Sequence, residues 1–163
     1  MNRIIISILF ILFAENIYAK GLFCNFEEVY KNGEIQTGHL LLQDQNLRYE
    51  YHNKNLYTLF YVNELLVYVS NDEHKKFQLI EDNDSIIKEL VSIYNDFPNI
   101  KDKYSRSGKT IIIEKNDMNF VKRIGIISPN LNLSIFFIDC REKIFEKNLF
   151  NFNPFVEVEY VSY

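Results

Sequence analysis

Leu47-Arg48-Tyr49-Glu50-Tyr51 alternates strictly between apolar or aromatic side chains and charged ones. Successive side chains of an extended chain point to opposite faces, so Leu47, Tyr49 and Tyr51 share one face and Arg48 and Glu50 the other. The pattern predicts a half-buried strand with its aromatic face turned inward, and the reading extends on both sides. Upstream, Phe23 to Tyr30 and Gln36 to Gln43 are expected as strands joined through Lys31-Asn32-Gly33-Glu34; Asn-Gly is the strongest short hairpin signal. Gln45-Asn46 is a polar break. Downstream, His52-Asn53-Lys54-Asn55 reads as a turn. Leu56 to Val62 and Leu65 to Ser70 are two more strands, meeting at Asn63-Glu64, and Asn71 to His74 turns into Lys76 to Ile80. The first half is a meander of antiparallel hairpins.

The period then changes. Asp82-Asn83-Asp84-Ser85 is a cluster of residues that cap helix N-termini, and Ile86, Ile87, Leu90, Val91 and Tyr94 recur at helical spacing. A helix is expected over about 85–96, ended by Phe97-Pro98. Residues 98–107 read as a polar connection. Strands resume at Thr110 to Glu114, Asn119 to Ile127 and Leu131 to Ile138, and Lys147 to Phe152 and Val156 to Tyr160 close the chain. The expected fold is mainly β: roughly ten antiparallel strands with one helix inserted after the fifth or sixth. A sheet that wide must curl. It is therefore read as an unclosed antiparallel barrel, with one or two short helices covering its concave face.

The 163 residues are 47% hydrophobic and 25% charged, enough apolar material for one globular core. Residues 1–19 read as a signal peptide: Met1-Asn2-Arg3 is a short positive segment, and Ile4 to Phe13 is an apolar run too short to span a bilayer. A polar stretch then ends at Ala19, leaving 20–163 as a single domain and the periplasm as the expected location. Phe23 before Cys24 is not the small residue that lipid attachment requires. Cys24 and Cys140 either pair in an oxidising compartment or remain as buried thiols.

Net charge is −4, without the basic footprint of a nucleic-acid binder. His39, His52 and His74 fall in no metal-ligand spacing, and there is no nucleophile elbow, Walker loop or Rossmann fingerprint. No catalytic residue, metal or cofactor is expected. The positive signal is 15% aromatic content, 14 Phe and 11 Tyr with no Trp. A curled sheet offers more apolar positions than a small closed core needs. Those side chains either pack against the helix or line a concave surface that holds a lipid. Burying about fifteen methylenes at ~0.8 kcal/mol each gives on the order of 12 kcal/mol of gross driving force.

The order of segments resembles the outer-membrane lipoprotein carrier family, LolA. Leu47-Arg48-Tyr49-Glu50-Tyr51 is similar to that family's hydrophobic-Arg-aromatic-Glu-Tyr segment. Phe26-Glu27-Glu28 looks like the Phe-x-Gln that opens its first strand, and Leu65-Leu66-Val67-Tyr68 like its Leu-aromatic-x-Tyr strand. Leu149 to Val158 is similar to its closing Phe-x-Phe-x-Pro-Pro-x-Gly-Val-x-Val. The resemblance implies a periplasmic chaperone that binds the acyl chains of lipoproteins. Cargo would come from an inner-membrane ATP-dependent exporter and pass to an outer-membrane receptor of the same fold. It places Leu47, Tyr49 and Tyr51 on the cavity wall; Leu42, Leu59, Tyr61, Leu66 and Tyr68 on the strands, with Ile86 and Leu90 on the helix, complete the expected lining of a monomeric carrier. Two departures stand out. The basic residue before Pro that ties down the family's lid is replaced by Gln43 or Asp44, and only Lys20-Gly21-Leu22 precede the first strand, where the family has a helix. These departures motivate a second reading, a periplasmic lipid-sensing or protein-interaction domain on the same scaffold. An eight-stranded outer-membrane barrel is disfavoured by the helix and by Arg48 and Glu50 opposite the aromatic face.

Overall fold

A computed structural model describes residues 21–72, 76–80, 85–117 and 120–151. The proposed signal peptide, the closing strand at Val156 to Tyr160 and most of the capping cluster before Ser85 lie outside them. Ten strands form one antiparallel sheet: β1 (Gly21–Tyr30), β2 (Ile35–Gln43), β3 (Asn46–Tyr51), β4 (Tyr57–Val62), β5 (Leu65–Ser70), β6 (Phe77–Ile80), β7 (Lys103–Arg106), β8 (Lys109–Lys115), β9 (Val121–Ile127) and β10 (Asn132–Lys143). The single α-helix among the described residues, α1 (Ile86–Asn95), connects β6 to β7.

The sheet runs β6-β5-β4-β3-β2-β1-β10-β9-β8-β7. Every neighbouring pair is a sequential hairpin except β1 with β10, which joins the two meanders. The edges β6 and β7 are not paired, so the sheet stays open, and α1 bridges them across the concave side. Local chemistry fixes the hairpins. Asp44-Gln45, Asn63-Glu64 and Ser107-Gly108 each have positive φ at both positions, which matches the twist of two-residue hairpin turns. At Lys31-Asn32-Gly33 the positive φ falls on Gly33, and Tyr30 N–H donates to the Glu34 carbonyl, a three-residue loop.

The β1–β10 junction carries a bulge. Phe23 pairs with Arg141 and Asn25 with Ile138, so Cys24 alone opposes Asp139 and Cys140, and Asp139 takes positive φ. Cys24 and Cys140 are joined there by a disulfide with Cα atoms 4.2 Å apart. The alternative left open by the sequence closes on pairing.

The main core lies inside the curl, where the inward faces of the strands meet Ile87, Leu90, Val91 and Ile93 of α1. Ser85 caps the helix, its side chain accepting from Lys88 N–H at 3.2 Å. Two smaller clusters lie on the outer face: Leu41 with Phe145 and Phe150, and Phe60 with Val67 and Phe77.

Two expectations need correction. Lys147–Phe150 is a 3-10 helix, not a strand. Leu149 and Phe150 do not alternate across a sheet but pack together on the outer face, where the Leu149 carbonyl accepts from the Arg48 guanidinium at 3.3 Å. The expected polar connection 98–107 contains β7, an edge strand with Tyr104 as its single buried residue. One apolar side chain in four is too weak a period to read.

Candidate functional site

Alternation along β1 sends Cys24, Phe26, Glu28 and Tyr30 inward, so a carboxylate sits on the apolar face. Glu28 is only 2% exposed. A buried ion costs several kcal/mol unless its acceptors are filled. Here three phenols occupy three of the roughly four acceptor positions. Tyr49 donates to Oε1 at 2.7 Å, and Tyr30 and Tyr51 donate to Oε2 at 2.6 and 3.0 Å. Burial first, and then the Glu28 carboxylate, pushes the hydroxyls of Tyr30, Tyr49 and Tyr51 well above the ordinary phenol range. They remain donors at any physiological pH.

The tyrosine array continues away from Glu28. Tyr51 meets Tyr57 edge-on with centroids 5.3 Å apart, and Tyr57 meets Tyr68 at 4.4 Å. Burial, and next Tyr68, raises the Tyr57 hydroxyl. On the other side Phe26 stacks on Tyr49 at 3.9 Å and covers Gly38, its direct partner on β2. A Cβ at position 38 would run into the Glu50 carbonyl and the Phe26 ring, so glycine is required there.

This array walls a cavity of about 310 Å³ beneath the first turn of α1. Glu28 and the five tyrosines form its polar wall; Leu59, Leu66, Ile80, Ile86 and Leu131 form much of the apolar one, and Ser85 and Lys109 complete the lining. The volume is at the lower end of ligand cavities. A second depression of about 270 Å³ opens at the other end of α1, between Leu22, Leu42, Tyr94, Phe97 and Phe120.

All ten residues expected from the sequence belong to the inner cluster. Six of them, Tyr49, Tyr51, Leu59, Leu66, Tyr68 and Ile86, line the cavity together. Leu42 borders the second depression. Tyr61 is half-buried against the cluster, and Leu47 and Leu90 are fully buried within it. Sequence reasoning missed Glu28, Tyr30 and Tyr57. The signal for Glu28 was present: it shares β1's inward face with Phe26 and Tyr30, two residues away on either side.

The helix is tied to the sheet edge by β7. Arg106 reaches Glu89 at 3.7 Å and Asp96 at 4.0 Å and donates to the Ser92 hydroxyl, while the Tyr104 hydroxyl donates to Asp96 at 2.8 Å. On the outer face, a polar groove of about 650 Å³ contains His39, His52, Arg48, Glu50 and Lys54. The two imidazoles meet Nε2 to Nε2 at 2.9 Å; His39 Nδ1 lies 2.9 Å from Asn25 Oδ1 and His52 Nδ1 lies 3.3 Å from the Thr37 hydroxyl. Each of the four ring nitrogens thus has a partner. Among the described residues no group of three or more His, Cys, Asp or Glu side chains is placed to hold a metal.

No family model matches the chain, and no curated protein matches it.

Proposed function

We propose that the chain is a periplasmic carrier of acyl chains, with the acylated N-termini of lipoproteins as cargo. The observation that carries the reading is an open ten-stranded sheet curled around an apolar face, bridged by one amphipathic helix, with a cavity under that helix. The segment order resembling the lipoprotein carriers supports it, as does a disulfide of the kind kept in oxidising compartments. An inner-membrane ATP-dependent exporter would load the cargo and an outer-membrane receptor would take it. In this reading Arg106 and Tyr104 hold the helix closed, in place of the basic residue that the family carries near Gln43.

The test is native mass spectrometry of residues 20–163 purified from a periplasm without detergent. A co-purifying acylated peptide or phospholipid is expected. Ile86→Glu, at the cavity wall and half-exposed, is expected to abolish it while the fold persists. A glutamate at Leu47 would not serve, because that side chain is fully buried in the core. A clean apo mass with no uptake of added lipopeptide refutes the carrier.

One observation favours the second reading, a lipid-sensing or interaction domain. Much of the bowl is already filled: Leu47, Leu90, Ile111, Ile124 and Ile135 have no exposure. Binding of lipopeptide with no transfer to acceptor membranes would select it.

A further inference from the structure

We infer that the cavity beneath the first turn of α1 recognises an organic ammonium group, held between the Glu28 carboxylate and the faces of the surrounding tyrosines. The proposal goes beyond the carrier reading, since an acylated amine is an amide and carries no ammonium charge; it rests on the cavity's own lining.

A carrier of plain acyl chains has no use for a carboxylate on its apolar wall. Glu28 is nonetheless 2% exposed and lines the cavity, and among the described residues it has no ion-pair partner. Its three phenol donors occupy three of the roughly four acceptor positions that a carboxylate offers. Oε1 takes only the Tyr49 hydroxyl among the described residues. Acceptor capacity on the carboxylate therefore remains at the cavity wall. Tyr51, Tyr57 and Tyr68 stand edge to face in succession, so ring faces of different orientation meet around one space. Aromatic faces around a cation are the recurrent means of binding quaternary and primary ammonium groups, and a desolvated carboxylate strengthens the attraction. The facing wall of Leu59, Leu66, Ile80 and Ile86 accommodates an attached alkyl chain. The ligand class is thus a cationic amphiphile: an ammonium head and an apolar tail.

Two features oppose this. Lys109 lines the same cavity, and the N-terminus of α1 brings its positive dipole end there. Both favour an anion. A head seated against the tyrosine wall meets Glu28, which accepts from those phenols, and the sign of its charge decides the selectivity.

The probes are hexyltrimethylammonium and hexyl sulfate, with identical tails and opposite heads, titrated into residues 20–163. The chain has 11 Tyr and no Trp, so intrinsic fluorescence reports the tyrosines alone. The cation is expected to bind at least tenfold more tightly than the anion. Glu28→Gln is expected to bring the two within threefold, with the fold checked by far-ultraviolet circular dichroism. Should that variant not fold, Tyr57→Leu leaves the carboxylate and its three donors in place and is expected to lower cation affinity at least threefold. No binding of the cation, or a preference for it of less than tenfold over hexyl sulfate in the wild-type chain, overturns the proposal, as does selectivity that persists in a folded Glu28→Gln. Lipopeptide uptake without charge selectivity refutes the ammonium site and leaves the carrier standing. Ammonium selectivity without lipopeptide uptake does the reverse.

Discussion

Reducing the Cys24–Cys140 disulfide removes the covalent closure of the sheet's one non-local strand pair. The two cysteines are 116 residues apart. The chain-entropy relation gives about 4.8 kcal/mol at 25 °C for a loop of that length. Every other strand pair closes through a short connection, whereas β1 and β10 must find each other across both meanders and α1. The closure cost therefore falls on one step, and the disulfide removes it from the unfolded chain. Against a typical domain stability of roughly 5–15 kcal/mol, that is a third or more of the total. The assay is urea unfolding of the oxidised and the reduced wild-type domain, followed by far-ultraviolet circular dichroism. With m near 2 kcal/mol/M, the midpoint should fall by about 2.4 M on reduction. Using the wild-type chain in both states avoids a hole at Cys24, which is fully buried. A midpoint shift under about 0.5 M refutes the reasoning: β1 and β10 would already be held together in the unfolded ensemble. Two free thiols in protein taken directly from an oxidising compartment would remove its premise.

Gly38→Ala is expected to destabilise by about 3 kcal/mol or to prevent folding, because the new methyl group meets the Glu50 carbonyl and the Phe26 ring together; thermal unfolding checks it. Ser85→Ala deletes the acceptor for Lys88 N–H and should cost about 1 kcal/mol by urea unfolding, most visibly as faster amide exchange in the first turn of α1. His39 has its affinity for protons lowered from the ordinary 6.5 by burial first and then by His52, with Arg48 adding to the effect and Glu50 opposing it. The unfolded chain then binds a proton more readily than the folded one. The stability owed to neutral His39 is complete above pH 6.5 and is lost as the pH falls from there toward the lowered folded value. The slope of stability between pH 7 and 5 should flatten in His39→Gln, and an unchanged slope refutes the assignment.

The hairpins were readable because each rests on local chemistry. Asn32-Gly33 and Asn63-Glu64 mark turns, and Leu47 to Tyr51 alternates without error. The helix was readable because the period shifts from two to 3.6 within a few residues of Ser85. β7 was not, because a four-residue edge strand with only Tyr104 buried carries almost no period. Lys147–Phe150 misled for the opposite reason. Leu149 and Phe150 are apolar and close to a segment with strand-like alternation, but they pack with Phe145 against Leu41, which only the fold brings near. The candidate site was half legible. Alternation on β3, β4 and β5 places Tyr49, Tyr51, Leu59, Leu66 and Tyr68 on one face. Glu28 follows from the same rule on β1, yet a charged residue on an apolar face reads as a surface position until three hydroxyls are seen to converge on it.

Magnitudes set what α1 can do. It buries Ile87, Leu90, Val91 and Ile93, and at about 1.5–3 kcal/mol each, lifting it clear of the bowl would cost roughly 6–12 kcal/mol. The contacts of Arg106 with Glu89 and Asp96 are half-exposed and add little. An acyl chain of about fifteen methylenes recovers on the order of 12 kcal/mol if it takes the helix's place. Only the upper end of the first range matches the second, so in the proposed carrier the gain from the acyl chain equals or exceeds the loss from the helix. The existing 310 Å³ cavity alone would hold only part of such a chain, so uptake of the whole requires the first turn of α1 to move. Ser85 and Ile86 of that turn line the cavity, and Arg106 ties the same turn at Glu89 as well as the later turns at Ser92 and Asp96, so in the carrier reading its opening must break that contact too.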